Sequence, residues 1–127
     1  MRYLGVDFGS KKVGLALSDE AGKFAMPHSV VVNDQNLIKT VAQVCVAEKV
    51  GEIVIGKSVD YKNQPNAILA VSEKFGQELK KQTNLNINWE PEFLTSKLAE
   101  REIGRDDMYD ARAAALILQS YLDRLRS

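Results

Sequence analysis

Asp7 closes the apolar run Tyr3-Leu4-Gly5-Val6-Asp7-Phe8, two residues before Gly9. A carboxylate at the end of a strand, beside a glycine turn and a hairpin partner, suits a metal ion or a phosphate: the sheet fixes the acid while the turn leaves room. Two further acidic positions come late in the chain. Glu90 and Glu92 flank Pro91 with the same strand parity, and Asp110 stands in the first turn of the last helical pattern. Alone, Asp110 reads as an acid favouring a helix N-terminus; together with the other two it reads as a ligand. Three carboxylates in a small space repel each other unless a cation neutralises them, and oxygen-only ligation favours Mg²⁺ or Mn²⁺. Two such ions about 4 Å apart activate a water on one side of a phosphodiester and stabilise the leaving oxygen on the other. No serine or cysteine is paired with a histidine, which fits a reaction without a covalent intermediate.

The elements that must carry these acids follow from periodicity. Val13 to Leu17 reads as the hairpin partner of the first strand, and Phe24 to Val32, ending in Ser29-Val30-Val31-Val32, as a third strand. Pro27 marks that strand as an edge or as beginning there. Asn33-Asp34 is a plausible cap for a helix over 35–49, whose Ile38, Val41, Ala42 and Cys45 recur at helical spacing, with Gly51 as its stop. Glu52 to Gly56 is then a buried strand reached by a crossover. The polar stretch from Lys57 to Gln64 lies beyond that strand's end, where α/β sheets bind ligands, so Lys57 and Ser58 are candidate phosphate contacts. A solvated turn explains them equally well.

Pro65 opens a second helix with the stripe Ile68, Val71, Phe75 and Leu79, and Lys80 and Lys81 complement its dipole, with a nucleic-acid backbone contact as the alternative. Leu85, Ile87 and Trp89 alternate with polar residues as a half-buried strand, and Trp89 is expected to pack under a helix, with stacking on a base as the alternative. Thr95 or Ser96 caps a short helix to about Glu102, 104–109 is a loop, and the final helix carries Ala111, Ala114, Leu118, Leu122 and Leu125 on one side. The order is βββαβαβαα. It predicts an α/β domain over 1–127: a mixed five-stranded sheet flanked by helices.

Leu4-Gly5-Val6-Asp7-Phe8-Gly9 through Gly14-Leu15-Ala16-Leu17-Ser18-Asp19 resembles the opening of the YqgF family, bacterial proteins of the ribonuclease H-like superfamily related to the RuvC resolvases. Pro91-Glu92-Phe93-Leu94-Thr95-Ser96 resembles that family's Asp-Glu-Arg-Leu-Thr-Thr/Ser segment, and Asp110 to Gln119 its Asp-Ala-x-Ala-Ala-x-x-Ile-Leu-Gln helix. The resemblance implies a ribonuclease H-like fold and selects Glu92 over Glu90, so that Asp7, Glu92 and Asp110 form the catalytic, metal-holding set. Gly9, Lys11, Lys57, Ser58 and Thr95 are the candidate substrate contacts around it. The implied activity is metal-dependent endonucleolytic cleavage of structured nucleic acid: processing of the 5′ end of pre-16S rRNA, in contact with ribosomal precursor particles. The alternatives are a Holliday junction resolvase acting on branched DNA and a catalytically silent RNA-binding module. A resolvase needs a dimer to cut two strands symmetrically, whereas an RNA nuclease works as a monomer or weak homodimer. The Asp-x-Gly opening is also shared with sugar kinases, Hsp70 and actin, which bind ATP between two copies of the fold; this chain has length for one.

The composition narrows less. Among 127 residues, Lys plus Arg and Asp plus Glu each number 17, so no global basicity announces a nucleic-acid partner, and any basic face must be local. The single cysteine, Cys45, excludes an internal disulfide and fits a reducing cytoplasm, with core packing as its role. No run approaches a membrane span and no signal peptide is evident, so a soluble cytoplasmic protein is expected.

Overall fold

The computed structural model describes residues 1–57, 67–91 and 108–127. Within them, β1 (Arg2–Phe8), β2 (Lys12–Ser18), β3 (Ala25–Val32), α1 (Leu37–Ala47), β4 (Val50–Lys57), α2 (Ala67–Thr83), β5 (Asn86–Pro91) and α3 (Tyr109–Arg126) follow the expected order. The short helix expected over 95–102 lies outside the described residues. The strands form one five-stranded sheet in the order β3-β2-β1-β4-β5. The first three pair antiparallel, and β4 and β5 add parallel on the other side of β1. This is the mixed sheet flanked by helices that the pattern predicts.

Side-chain alternation sorts the core into two layers. Leu4, Val6, Phe8, Val13, Leu15, Ile53 and Ile55 point to one face, where α1 covers them with Leu37, Val41 and Cys45 and α2 with Phe75 and Leu79. On the opposite face Ala16 and Val54 meet Ala114, Ile117, Leu118 and Leu122 of α3. The alanines of α3 permit a close approach, and so does Gly5 beneath them: a Cβ there would come within 2.7 Å of Leu118 Cβ.

Four local expectations need correction. Helix α1 is not ended by Gly51: Lys49 takes the left-handed conformation (φ 55°), and Gly51 is already inside β4. Nor do Asn33 and Asp34 cap its first residue. Asp34 instead accepts a hydrogen bond from the Asn36 amide two residues on, and Asn36 occupies the cap position without a side-chain bond. In α2 the stripe is displaced, because Val71 is 53% exposed while Leu69 and Ser72 are buried beside Phe75 and Leu79. Leu125 is likewise exposed, one turn past the buried Leu122, where α3 runs beyond the sheet. Pro27, by contrast, marks an edge strand as expected.

Cys45 is buried under α1, and desolvation pushes its thiol up to about 11. Burial, with the charge of Glu52 second, also raises the phenols of Tyr3 and Tyr121. Between the unfolded and folded values of such groups the native state keeps protons that the unfolded state gives up, so stability falls as pH rises. Urea titrations above pH 9 are therefore expected to show falling unfolding free energy. Alkylation of Cys45 at pH 8 is expected to be slow until denaturant is added. Rapid labelling of the native chain would contradict the burial of this thiol.

Candidate active site

Asp7 is the penultimate residue of β1. Its parity places it on the α3 face, opposite the layer of Leu4, Val6 and Phe8. Across the hairpin it is the direct partner of Gly14 in β2, and such paired residues point to the same face with Cβ positions roughly 5 Å apart. Gly14 has no Cβ, and the first turn of α3 fills that space. A Cβ built on Gly14 would land on the Asp110 carbonyl group. Asp110 therefore starts its helix directly over the residue paired with Asp7. Two acidic residues about a hundred positions apart in sequence thus have their backbones brought together because one strand residue has no side chain. Both residues are half-buried.

The turn beyond Asp7 is fixed from outside the hairpin. The Asn33 side-chain amide donates to the Gly9 carbonyl at 2.8 Å, and the Asn33 backbone amide donates to the Lys11 carbonyl at 2.9 Å. Lys11 stays exposed in this turn, on the rim next to the Asp7 strand end. The residue pattern marks Asn33 only as a helix cap, and its tether to the turn has no local sequence signal. Gly14 acts as a positioning residue, and its signal in the sequence is a glycine inside a strand, which marks close backbone approach.

Glu90, the alternative to Glu92, is already engaged. Its carboxylate accepts from Ser120 Oγ at 2.8 Å and is ion-paired with Arg124, which lies over the Tyr121 ring. In register Glu90 is the partner of Gly56, and Val6 the partner of Ile55. That puts the Glu90 backbone two strand spacings, roughly 10 Å, from Asp7. Glu90 thus pins the end of β5 to α3. Replacing it with alanine removes charge-assisted bonds to a buried carboxylate whose Arg124 partner is half exposed, and is expected to cost about 1–2 kcal/mol in urea unfolding. An unchanged midpoint would mean that the clamp contributes nothing.

Glu92, Ser58 and Thr95 lie outside the described residues, and among the described residues no cluster of three metal-ligating side chains occurs. Lys57 ends β4 exposed, but its parity sends it to the α2 face, away from Asp7. His28 faces Ser29 and Glu48 at the sheet edge, and Cys45 lies in the layer opposite Asp7.

The architecture is that of the ribonuclease H-like resolvases. The Thermus thermophilus RuvC in complex with a Holliday junction substrate superposes with a TM-score of 0.68 at 14% identity, covering 100% of this chain and 97% of that one. The fowlpox virus resolvase with Holliday junction DNA gives 0.59 at 13% identity, covering 100% of both. The family model described as RuvX, Holliday junction resolvase, matches residues 1–124. Among relatives named "Putative pre-16S rRNA nuclease", that of Protochlamydia amoebophila is 35% identical over 96% of this chain and 93% of its own length. That of Paraburkholderia xenovorans is 33% identical over 96% and 88%. The chain belongs to the RuvX family, also known as YqgF, and is a nuclease of that family.

Proposed function

We propose that this nuclease cleaves structured RNA, trimming the 5′ end of pre-16S rRNA, and that it depends on Mg²⁺ or Mn²⁺ held by Asp7, Asp110 and Glu92. The observation that carries the reading is the close approach of the Asp110 backbone to Gly14, the register partner of Asp7. The donor set is oxygen only, which fits a hard divalent cation and not zinc or copper. Relatives at about a third identity, named for pre-16S rRNA, support the substrate.

When bound, the metal supplies an activated water and charge stabilisation at the scissile phosphate. The chain's own residues do the rest. Asp7 is held on a central strand and Asp110 on a helix packed against it, so neither carboxylate needs to reorganise when substrate arrives. Lys11, exposed on the adjacent turn, attracts the phosphate backbone, and Gly9 lets that backbone approach the main chain. No side-chain nucleophile is called for, in keeping with Cys45 and His28 lying away from Asp7.

A second substrate follows from the family description, which names a Holliday junction resolvase. Both are tested in one assay, with a pre-16S 5′ leader transcript and a four-way DNA junction, each incubated with Mn²⁺ or with EDTA. Cleavage of the transcript, absent in EDTA, is the expected result. Cleavage of the junction alone would replace RNA by branched DNA, and equal cleavage in EDTA would remove the metal.

A further inference from the structure

On the α2 face of the sheet, the ends of β4 and β5 and one side of α2 enclose a groove of about 350 Å³. Trp89, Ile87, Lys57, Glu73, Gly76 and Lys80 line it. We propose that this groove binds a single-stranded segment of nucleic acid, with a base stacked on Trp89 and the flanking phosphates on Lys57 and Lys80. The proposal rests on the nuclease reading for its ligand class, and it concerns a surface separate from the carboxylates.

Three features carry it. Gly76 brings α2 so close to the indole that a Cβ there would stand 2.9 Å from Trp89 Cζ2, yet the ring is only half-buried. On that side the indole packs against α2 and the core, and its remaining surface lines the groove. Lys57 and Lys80 then bracket the ring from different elements. Lys57 follows Ile55, the register partner of Trp89, by two residues, and Lys80 follows Gly76 by one helical turn. Both lysines are exposed, and neither is in an ion pair among the described residues.

Position is the third feature. The parallel register of β1 and β4 ends at Val6 and Ile55, one residue before Asp7 and two before Lys57, so Lys57 stands at the same carboxyl-end rim as Asp7 but on the other face. Cations flanking a partly exposed indole suit a phosphate-base-phosphate unit, and stacking tolerates any base. Glu73 on the α2 wall opposes an anion, and two cations against one acid leave the groove positive.

Trp89 is the only tryptophan, so its fluorescence reports the groove alone. Short oligouridylate or oligothymidylate titrated into the chain in EDTA is expected to quench it saturably. The double variant Lys57→Gln/Lys80→Gln is expected to weaken binding and to lower the slope of log affinity against log salt by roughly 1.4, two phosphate contacts at about 0.7 each. Glu73→Gln is expected to tighten binding. By anisotropy of a labelled oligonucleotide, Trp89→Ala is expected to lose about five- to a hundredfold in affinity. Trp89→Phe, which keeps a ring in the core, is expected to lose less. Absence of quenching, a salt slope unchanged in the double variant, or displacement of the oligonucleotide by equimolar inorganic phosphate would each overturn the proposal. Cleavage with no quenching removes the groove and keeps the nuclease reading, whereas quenching with no cleavage does the opposite.

Discussion

Asp7→Asn is expected to lower the cleavage rate on the order of a thousandfold, since a bound divalent ion supplies several kcal/mol of transition-state stabilisation and each 1.4 kcal/mol is about tenfold. The substitution is nearly isosteric, so the strand, its pairing with Gly14 and the packing of α3 should survive. What it removes is the negative charge, and a neutral amide oxygen is a far weaker ligand for a hard cation. The measurement has two parts. Turnover is followed at several Mn²⁺ concentrations, and Mn²⁺ binding is followed by the loss of its free paramagnetic signal. Both should fall together while the circular dichroism and melting temperature stay close to those of the parent. Full activity in a folded variant would place the chemistry elsewhere on the molecule.

The second large effect is expected at a residue with no functional group. Gly14→Ala would place a methyl where the Asp110 carbonyl now lies, and the atoms in its way are backbone, which cannot rotate aside. Either α3 lifts from the sheet or the hairpin distorts. Overpacking of this kind typically costs about 1–3 kcal/mol, occasionally more, which for a chain of this size lowers Tm on the order of 10 °C. The more telling consequence is at the site. Lifting the first turn of α3 moves Asp110 away from Asp7, so the surviving folded protein should need more Mn²⁺ for half-maximal cleavage. Serine at the same position should behave like alanine. A variant with parental Tm and parental metal dependence would show that the helix does not rest on this strand as described.

Much of this arrangement can be read from residue types. Alternation in Leu4-Gly5-Val6-Asp7-Phe8 already puts Asp7 on the face opposite the larger apolar residues, and the alanines of 111–115 announce a helix that lies close to a sheet. What residue types did not disclose is which helix faces which side. The stripe through Val71 fails because Ile68, Val71, Phe75 and Leu79 satisfy helical spacing as well as the Leu69, Ser72, Phe75 and Leu79 set that is buried; a buried serine bonded to the Leu69 carbonyl carries no apolar signal. Gly51 misleads for a related reason. A glycine after a helical pattern normally ends it, but here Lys49 adopts the left-handed conformation and the glycine accommodates the Met1 side chain. At the site, parity alone could not separate Glu90 from Glu92. The bond from Ser120 and the pairing with Arg124 commit Glu90 to holding β5 in place, and this partnership spans 30 to 34 residues that no local pattern connects.

The two outer strands of the sheet each contain a proline, Pro27 in β3 and Pro91 at the end of β5. In β3 the register also skips a residue, since Leu15 pairs with Ser29 and Ala16 with Pro27, leaving His28 bulged. A missing amide proton and a local kink deprive a neighbouring polypeptide of a regular ladder to join. Met26 and Val32 stand exposed on β3, so without these interruptions its rim would invite fibrillar stacking at high concentration. The same backbone irregularities that bound the sheet therefore favour colloidal stability over sheet growth.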